Sequence, residues 1–130
     1  MRDNSSAKHP TASQGLGHAG ELLARRALES RGMRIVQANY RCAAGEMDLI
    51  ARTADEWVFI EVKTRRGNRF GSPEEAITRR KQIRLAKVAE SFLLEHALGD
   101  AAWRIDVVAV EMDQRGKLMR LEVIEHAVSG

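Results

Sequence analysis

Residues 57–64 read WVFIEVKT, and this run constrains the fold more than any other. Its β-branched and aromatic residues favour a strand. Strand side chains alternate between the two faces of a sheet. Trp57, Phe59, Glu61 and Lys63 therefore share one face, and Val58, Ile60 and Val62 the other. Both faces are apolar toward the N-terminal end. Such a strand belongs in the middle of a sheet, with a covering layer on each side. The rest of the chain must supply neighbouring strands at both edges and apolar elements on both faces.

The flanking sequence supplies them. HAGELLARRALESR (18–31) places Ala19, Leu22, Leu23 and Ala27 on one face at helical spacing, with Gly32 as the C′ residue. MRIVQA (33–38) is predicted as a strand, NYRCAAG (39–45) as a loop and EMDLIAR (46–52) as a strand. The short TADE turn (53–56) then makes 46–52 and 57–64 an antiparallel hairpin. RRGNRFGSP (65–73) is a basic, glycine-containing loop. A helix is expected from Ser72 or Pro73 to about His96, with Glu74 and Glu75 in its first turn, where the helix dipole favours acids. Its apolar stripe is Ile77, Ile83, Leu85, Val88, Ala89, Phe92 and Leu93, and Gly99 closes it. Strands at 103–112 and 117–127 flank the DQRG turn. The order is helix, three strands, helix, two strands. That predicts an α/β fold, a mixed β-sheet flanked by helices.

Residues 1–17 are small and polar, too poor in apolar groups to offset the entropy of ordering. They are expected to form a mobile tail ahead of a single domain at 18–130. The 130-residue length suits one domain. No apolar run approaches the roughly 18 residues of a membrane span, and the N-terminus lacks the apolar centre of a secretory signal. A single cysteine, Cys42, excludes an internal disulfide and fits a reducing cytosol. The expected protein is cytoplasmic and bears no membrane segment.

Net charge is only +3, but it is unevenly spread. The segment 63–87 carries +7 and the remainder −4. A concentrated basic stripe is the footprint of a polyanion, although a solvated helix face preceded by a basic loop has the same composition. Within the stripe, Arg65, Arg66 and Arg69 are candidate phosphate contacts, and Phe70 beside them can stack on a base or plug a core. Lys81 and Arg84 are three apart and share a helix face, suited either to phosphate or to water.

Glu61 and Lys63 are out of place in a central strand, because a buried charge must be paired or bound to a cation. One strand earlier, alternation puts Glu46, Asp48 and Ile50 on one face and Met47, Leu49 and Ala51 on the other. If Asp48 and Glu61 face the same side of the hairpin, two carboxylates and an ammonium converge. A hard cation such as Mg²⁺ takes one or two carboxylates, keeps several waters and accepts phosphate oxygens. A neighbouring lysine can offset charge building on a phosphate, and the Val62 carbonyl can serve as a further ligand. The competing account is a Glu61–Lys63 ion pair at a strand end, with Asp48 a surface acid. Spacing alone leaves both open.

Five stretches together carry a more specific signal. GHAGELLA (17–24), NYRCAAGEMDLIA (39–51), VFIEVKTR (58–65), KQIR (81–84) and RIDVV (104–108), in that order, resemble the YraN family. The resemblance runs over nearly the whole chain from Gly17. That family is regarded as endonuclease-like and is similar to archaeal Holliday-junction resolvases. It implies a restriction-endonuclease-like fold with an αβββαβ core and a PD-(D/E)xK signature. On this resemblance Asp48 and Glu61 are metal carboxylates, Lys63 is the signature lysine, and Glu21 is a helical acid brought to the metal. The signature's proline is absent, since Met47 precedes Asp48. The implied activity is Mg²⁺- or Mn²⁺-dependent hydrolysis of DNA phosphodiesters, in branched or single-stranded forms. The alternative is a catalytically silent nucleic-acid-binding module of the same fold. Resolvase-like proteins are commonly dimers, so a homodimer is also implied, with no dimer face marked in the sequence. Arg104 and Asp106 share a strand face, either pairing with each other or supporting the site.

Overall fold

The computed structural model describes residues 12–67 and 77–127. In chain order the elements are α1 (Ala12–Ser30), β1 (Arg34–Cys42), β2 (Gly45–Arg52), β3 (Trp57–Arg66), α2 (Arg79–Glu95), β4 (Trp103–Met112) and β5 (Leu118–Ile124). The strands form one mixed sheet in the order β1-β2-β3-β4-β5. β3 runs antiparallel to β2 and parallel to β4, and the outer pairs are antiparallel. This is the α/β architecture and element order expected from the sequence, with β3 in the middle.

The two faces of β3 are buried under different helices, as its two apolar stripes require. Trp57 and Phe59 join Tyr40, Met47, Ile50 and Ile105 beneath Leu85, Val88, Phe92 and Leu93 of α2. The Phe92 ring meets Tyr40 at 5.3 Å and Phe59 at 5.7 Å between centroids. Val58 and Ile60 pack with Leu49, Ala51, Val108 and Val110 beneath Ala24 and Leu28 of α1. Each fully buried aliphatic or aromatic side chain contributes about 1.5–3 kcal/mol relative to exposure. The sandwich of helix, sheet and helix thus fixes β3 rigidly.

Several boundaries differ from the sequence expectation. α1 begins at Ala12 rather than His18, so the expected tail of 1–17 is helical from residue 12, and residues 1–11 lie outside the described part. No proline interrupts 12–30, and glycine weakens a helix by only about 1 kcal/mol without breaking it. The C-terminus ends as expected on Gly32, whose φ is 91°. The Gly32 N–H donates to the Glu29 carbonyl and the Met33 N–H to that of Leu28. β1 extends through Asn39–Cys42, where the sequence predicts a loop, because Tyr40, Arg41 and Cys42 pair with Met47, Glu46 and Gly45 through a tight turn. α2 starts at Arg79, not at Ser72 or Pro73. Thr78, in extended backbone, caps it by accepting from the Lys81 N–H at 3.1 Å. The expected placement of Glu74 and Glu75 lies outside the described residues. α2 is closed by Ala97, at φ 56°, two residues before the expected Gly99.

Candidate active site

The sheet forks beside Asp48. The β2–β3 ladder reaches Leu49↔Ile60 and stops. Beyond it β2 continues along β1 to Gly45, while β3 continues along β4 to Arg66. Two strands that part leave backbone groups without a ladder partner. Asp48 meets this need at the crotch: its Oδ2 accepts from the Val62 N–H at 2.7 Å. The expected alternation therefore slips here. Met47 packs with Ile50 under α2, although the two are three residues apart, and Leu49 goes to the α1 side. Asn39 lies opposite, between the Ala38↔Leu49 and Tyr40↔Met47 pairs, and takes the left-handed conformation at φ 56°. Asparagine tolerates that region better than most residues.

Asp48 thus stands within hydrogen-bonding reach of Glu61. Burial, followed by repulsion from the Glu61 carboxylate, pushes the Asp48 carboxyl up from 3.8 to about 7. The Val62 N–H opposes the rise, and Glu21 adds to it from α1. The site therefore concentrates negative charge that the strands alone do not neutralise.

Glu61 is 7% exposed and is clasped from two sides. Lys63 Nζ lies 3.4 Å from its Oε2, and Lys81 Nζ, from the first turn of α2, lies 2.6 Å from the same oxygen. The ammoniums respond in opposite directions. Burial, then the neighbouring Lys81, lowers Lys63. Lys81 is raised: burial is the largest single influence and works against its charge, but the bond to Glu61, the contact with Lys63 and the Glu61 charge together outweigh it. The shorter contact explains the division, since the ammonium nearest the carboxylate keeps its proton more firmly.

Glu21 is delivered by a close approach of α1 to the sheet. Gly20 is buried against Thr64 of β3, and a Cβ at Gly20 would overlap the Thr64 hydroxyl. Thr64 is β-branched and held within β3, so it cannot easily turn away. Gly20→Ala should lower stability by about 1–3 kcal/mol and move Glu21 away from Asp48. Thermal denaturation of Gly20→Ala, Thr64→Ala and the double variant measures this. The double variant should recover much of the loss, and strictly additive losses would rule the contact out.

The structure brings Asp48, Glu61 and Lys63 together, with Glu21 in electrostatic range. Lys81, whose helix face suits either phosphate or water, also reaches Glu61. Arg84 is exposed nearby, its stem against Gly45. Arg65 and Arg66 lie at the end of β3, where Arg66 Nη1 donates to the Gln114 carbonyl at 3.2 Å. Arg69 and Phe70 fall outside the described residues. The contact of Lys81 with Glu61 was not legible in the sequence, because helical spacing gives the face of a helix but not the strand residue beneath it. Among the described residues, no three His, Cys, Asp or Glu side chains form a ready cation cage. Asp48 and Glu61 nevertheless fit a divalent cation: they are hard oxygen donors from two strands, and their repulsion is what a cation relieves.

Residues 20–110 match the family described as "Uncharacterised protein family UPF0102". The chain belongs to the UPF0102 family. This is the family indicated by the YraN resemblance, and Glu21, Asp48, Glu61, Lys63 and Lys81 all fall in the matched span. A UPF0102 protein of Roseiflexus castenholzii is 44% identical over 87% of this chain and 92% of its own length. One from Moorella thermoacetica is 41% identical over 85% and 92%. One from Beutenbergia cavernae is 46% identical over 81% and 89%. Among solved structures, Pyrococcus furiosus SfsA in complex with Ca²⁺ is similar at a TM-score of 0.42 and 17% identity. The match covers 91% of this chain and 65% of that one. Among the described residues of this UPF0102 chain, no helix is long and apolar enough to cross a membrane.

Proposed function

We propose that the chain is a divalent-metal-dependent endonuclease that hydrolyses DNA phosphodiesters in a cytoplasmic setting. One observation carries this: Asp48 and Glu61 are forced together at the fork of the sheet, against their mutual repulsion, with lysine ammoniums at hand. Carboxylates are kept in that arrangement at a cost in stability, and sites of this kind are where function is concentrated. Asp48 and Glu61 would hold Mg²⁺ or Mn²⁺, with Glu21 adding negative charge from α1. The chemistry supplied by such a cation, when bound, is polarisation of a phosphate and a lowered pKa for water. Lys63 stands beside the cation-holding pair, where its ammonium offsets charge developing on phosphate oxygens. Arg65, Arg66 and Arg84 extend the positive surface along which a phosphate backbone would lie, and Arg69 is a further candidate phosphate contact from the sequence alone.

The test is cleavage of junction, flap, single-stranded and duplex DNA with Mg²⁺ or Mn²⁺. Wild type is expected to cut at least one substrate, and Asp48→Ala or Lys63→Ala to lose at least about a hundredfold in rate. Equal cutting by the variants, or none by wild type, would sink the enzymatic reading. A second reading, nucleic-acid binding without turnover, is favoured by the way two lysines already occupy Glu61. It predicts steeply salt-dependent DNA binding and no product on any substrate.

A further inference from the structure

Two lysines on one carboxylate oxygen are more than an ion pair requires. Lys63 sits on the same strand as Glu61 two residues on, so its backbone is fixed relative to that of Glu61 and both side chains leave from one face. Lys81 arrives from a different element and still makes the shorter contact, 2.6 Å against 3.4 Å to Glu61 Oε2. The two side chains are about equally exposed, Lys63 at 26% and Lys81 at 28%, so their roots and not their exposure distinguish them. The neighbours of Lys81 on the first turns of α2, Arg79, Arg80, Ile83 and Arg84, are all exposed. The Lys81 ammonium therefore lies at the boundary between the carboxylates and the positive outer face of α2.

A cation entering beside Glu61 would meet two ammoniums already there. Like charges at such distances oppose each other strongly where water is scarce. One ammonium must yield, and Lys81 is the one rooted outside the carboxylate-bearing strand, on the turn of α2 whose Arg79, Arg80 and Arg84 are exposed. Resting on the metal-dependent reading above, we propose that Lys81 is a displaceable placeholder. It neutralises Glu61 while the cation is absent, and it swings outward to a nucleic-acid phosphate, alongside Arg84, when the cation enters. Metal and nucleic acid then bind cooperatively, because each frees or engages the same ammonium. The site is also spared an uncompensated buried carboxylate when empty.

Calorimetric titration of the full chain with Ca²⁺ alone tests this without turnover. Lys81→Met is expected to bind Ca²⁺ about tenfold more tightly than wild type. Lys81→Arg keeps the charge and grips a carboxylate through a planar fork, so it should bind no more tightly than wild type. In the same protein, Lys81→Met should lower the Ca²⁺-induced gain in affinity for a single-stranded oligonucleotide. A role limited to holding α2 against the sheet would move neither Ca²⁺ affinity upward nor this gain downward. Asp48→Asn separates the two levels of inference. If wild type and Lys81→Met bind Ca²⁺ equally, and Asp48→Asn abolishes that binding, the placeholder is overturned and the metal reading stands. If no chain binds Ca²⁺ in an Asp48-dependent way, both fall. Should Lys81→Met not fold, the Lys81 side-chain methylene resonance of wild type, assigned by its loss in Lys81→Arg, decides. It should shift as Ca²⁺ is added, and a stationary resonance under saturating Ca²⁺ overturns the proposal.

Discussion

Asp48→Asn is expected to raise the thermal midpoint at neutral pH while abolishing metal-dependent cleavage. The Asp48 carboxyl is held at about 7 against an ordinary 3.8, chiefly by burial and by the facing Glu61. Between those values the folded chain keeps a proton that the unfolded chain has released. Stability therefore falls as pH rises through that window, and the full penalty is present above it. An amide carries no such penalty. It can still accept from the Val62 N–H, and it can donate to Glu61 where the carboxylate only repels. A gain of roughly 2 kcal/mol, or about 5 °C, is expected at pH 8. The gain should shrink on acidification and largely vanish at about pH 3, below both values, where Asp48 is protonated in both states. Midpoints for both proteins from about pH 3 to pH 8 provide the check. A variant less stable than wild type at pH 8, or a pH-independent difference, would show that Asp48 is not held against its preference. Coupling the gain in stability to a loss of cleavage makes the strain functional rather than incidental.

Most of the fold was legible because β3 permits few settings. Its two apolar faces require a central position and two covering layers, and the helical stripes of α1 and α2 supply the layers. The TADE turn fixes β2 against β3. From there, counting back through the hairpin permits Asp48 and Glu61 to be adjacent without requiring it. What remained hidden depends on geometry that periodicity does not encode. Alternation assigned Asp48 to one face of a regular strand. In the folded chain the strands fork at that residue and its side chain takes a backbone donor instead. Asn39 is the only local hint, since asparagine tolerates a positive φ. Lys81 was read by its helix face alone, and its encounter with Glu61 depends on how α2 lies across the sheet. Two signals compete for the start of α2. Pro73 with acids behind it resembles a helix entry, but Thr78 provides the cap observed.

Arg104 and Asp106 show how an ion pair in the sheet can be structural. Asp106 is fully buried on β4, and Arg104 Nε meets its two carboxylate oxygens at 3.1 and 3.2 Å. Arg104 Nη1 also bonds Glu56 Oε1 at 2.7 Å, just before β3, and the His126 N–H donates to Asp106 Oδ1 at 3.0 Å. The network ties the entry of β3 and the turn after β5 to β4. Pairing with each other, one of the two sequence-level alternatives, is what the structure contains. Replacing one partner of a buried pair leaves a charge with little compensation, which typically costs about 3–5 kcal/mol. Arg104→Ala should accordingly lower the midpoint by about 10 °C or more. Burial already raises the Asp106 carboxyl, against the opposing pull of His126 and Arg104. Without Arg104 it rises further, so a proton relieves the defect and the deficit should narrow as pH falls. Arg104→Met/Asp106→Leu removes both charges and should recover most of the loss, because the desolvation penalty goes with them. Ca²⁺ affinity of the folded Arg104→Ala protein, measured well below its midpoint, should match wild type. A tenfold loss of that affinity with an unchanged midpoint would reverse the assignment and make Arg104 a support for the Asp48–Glu61 site.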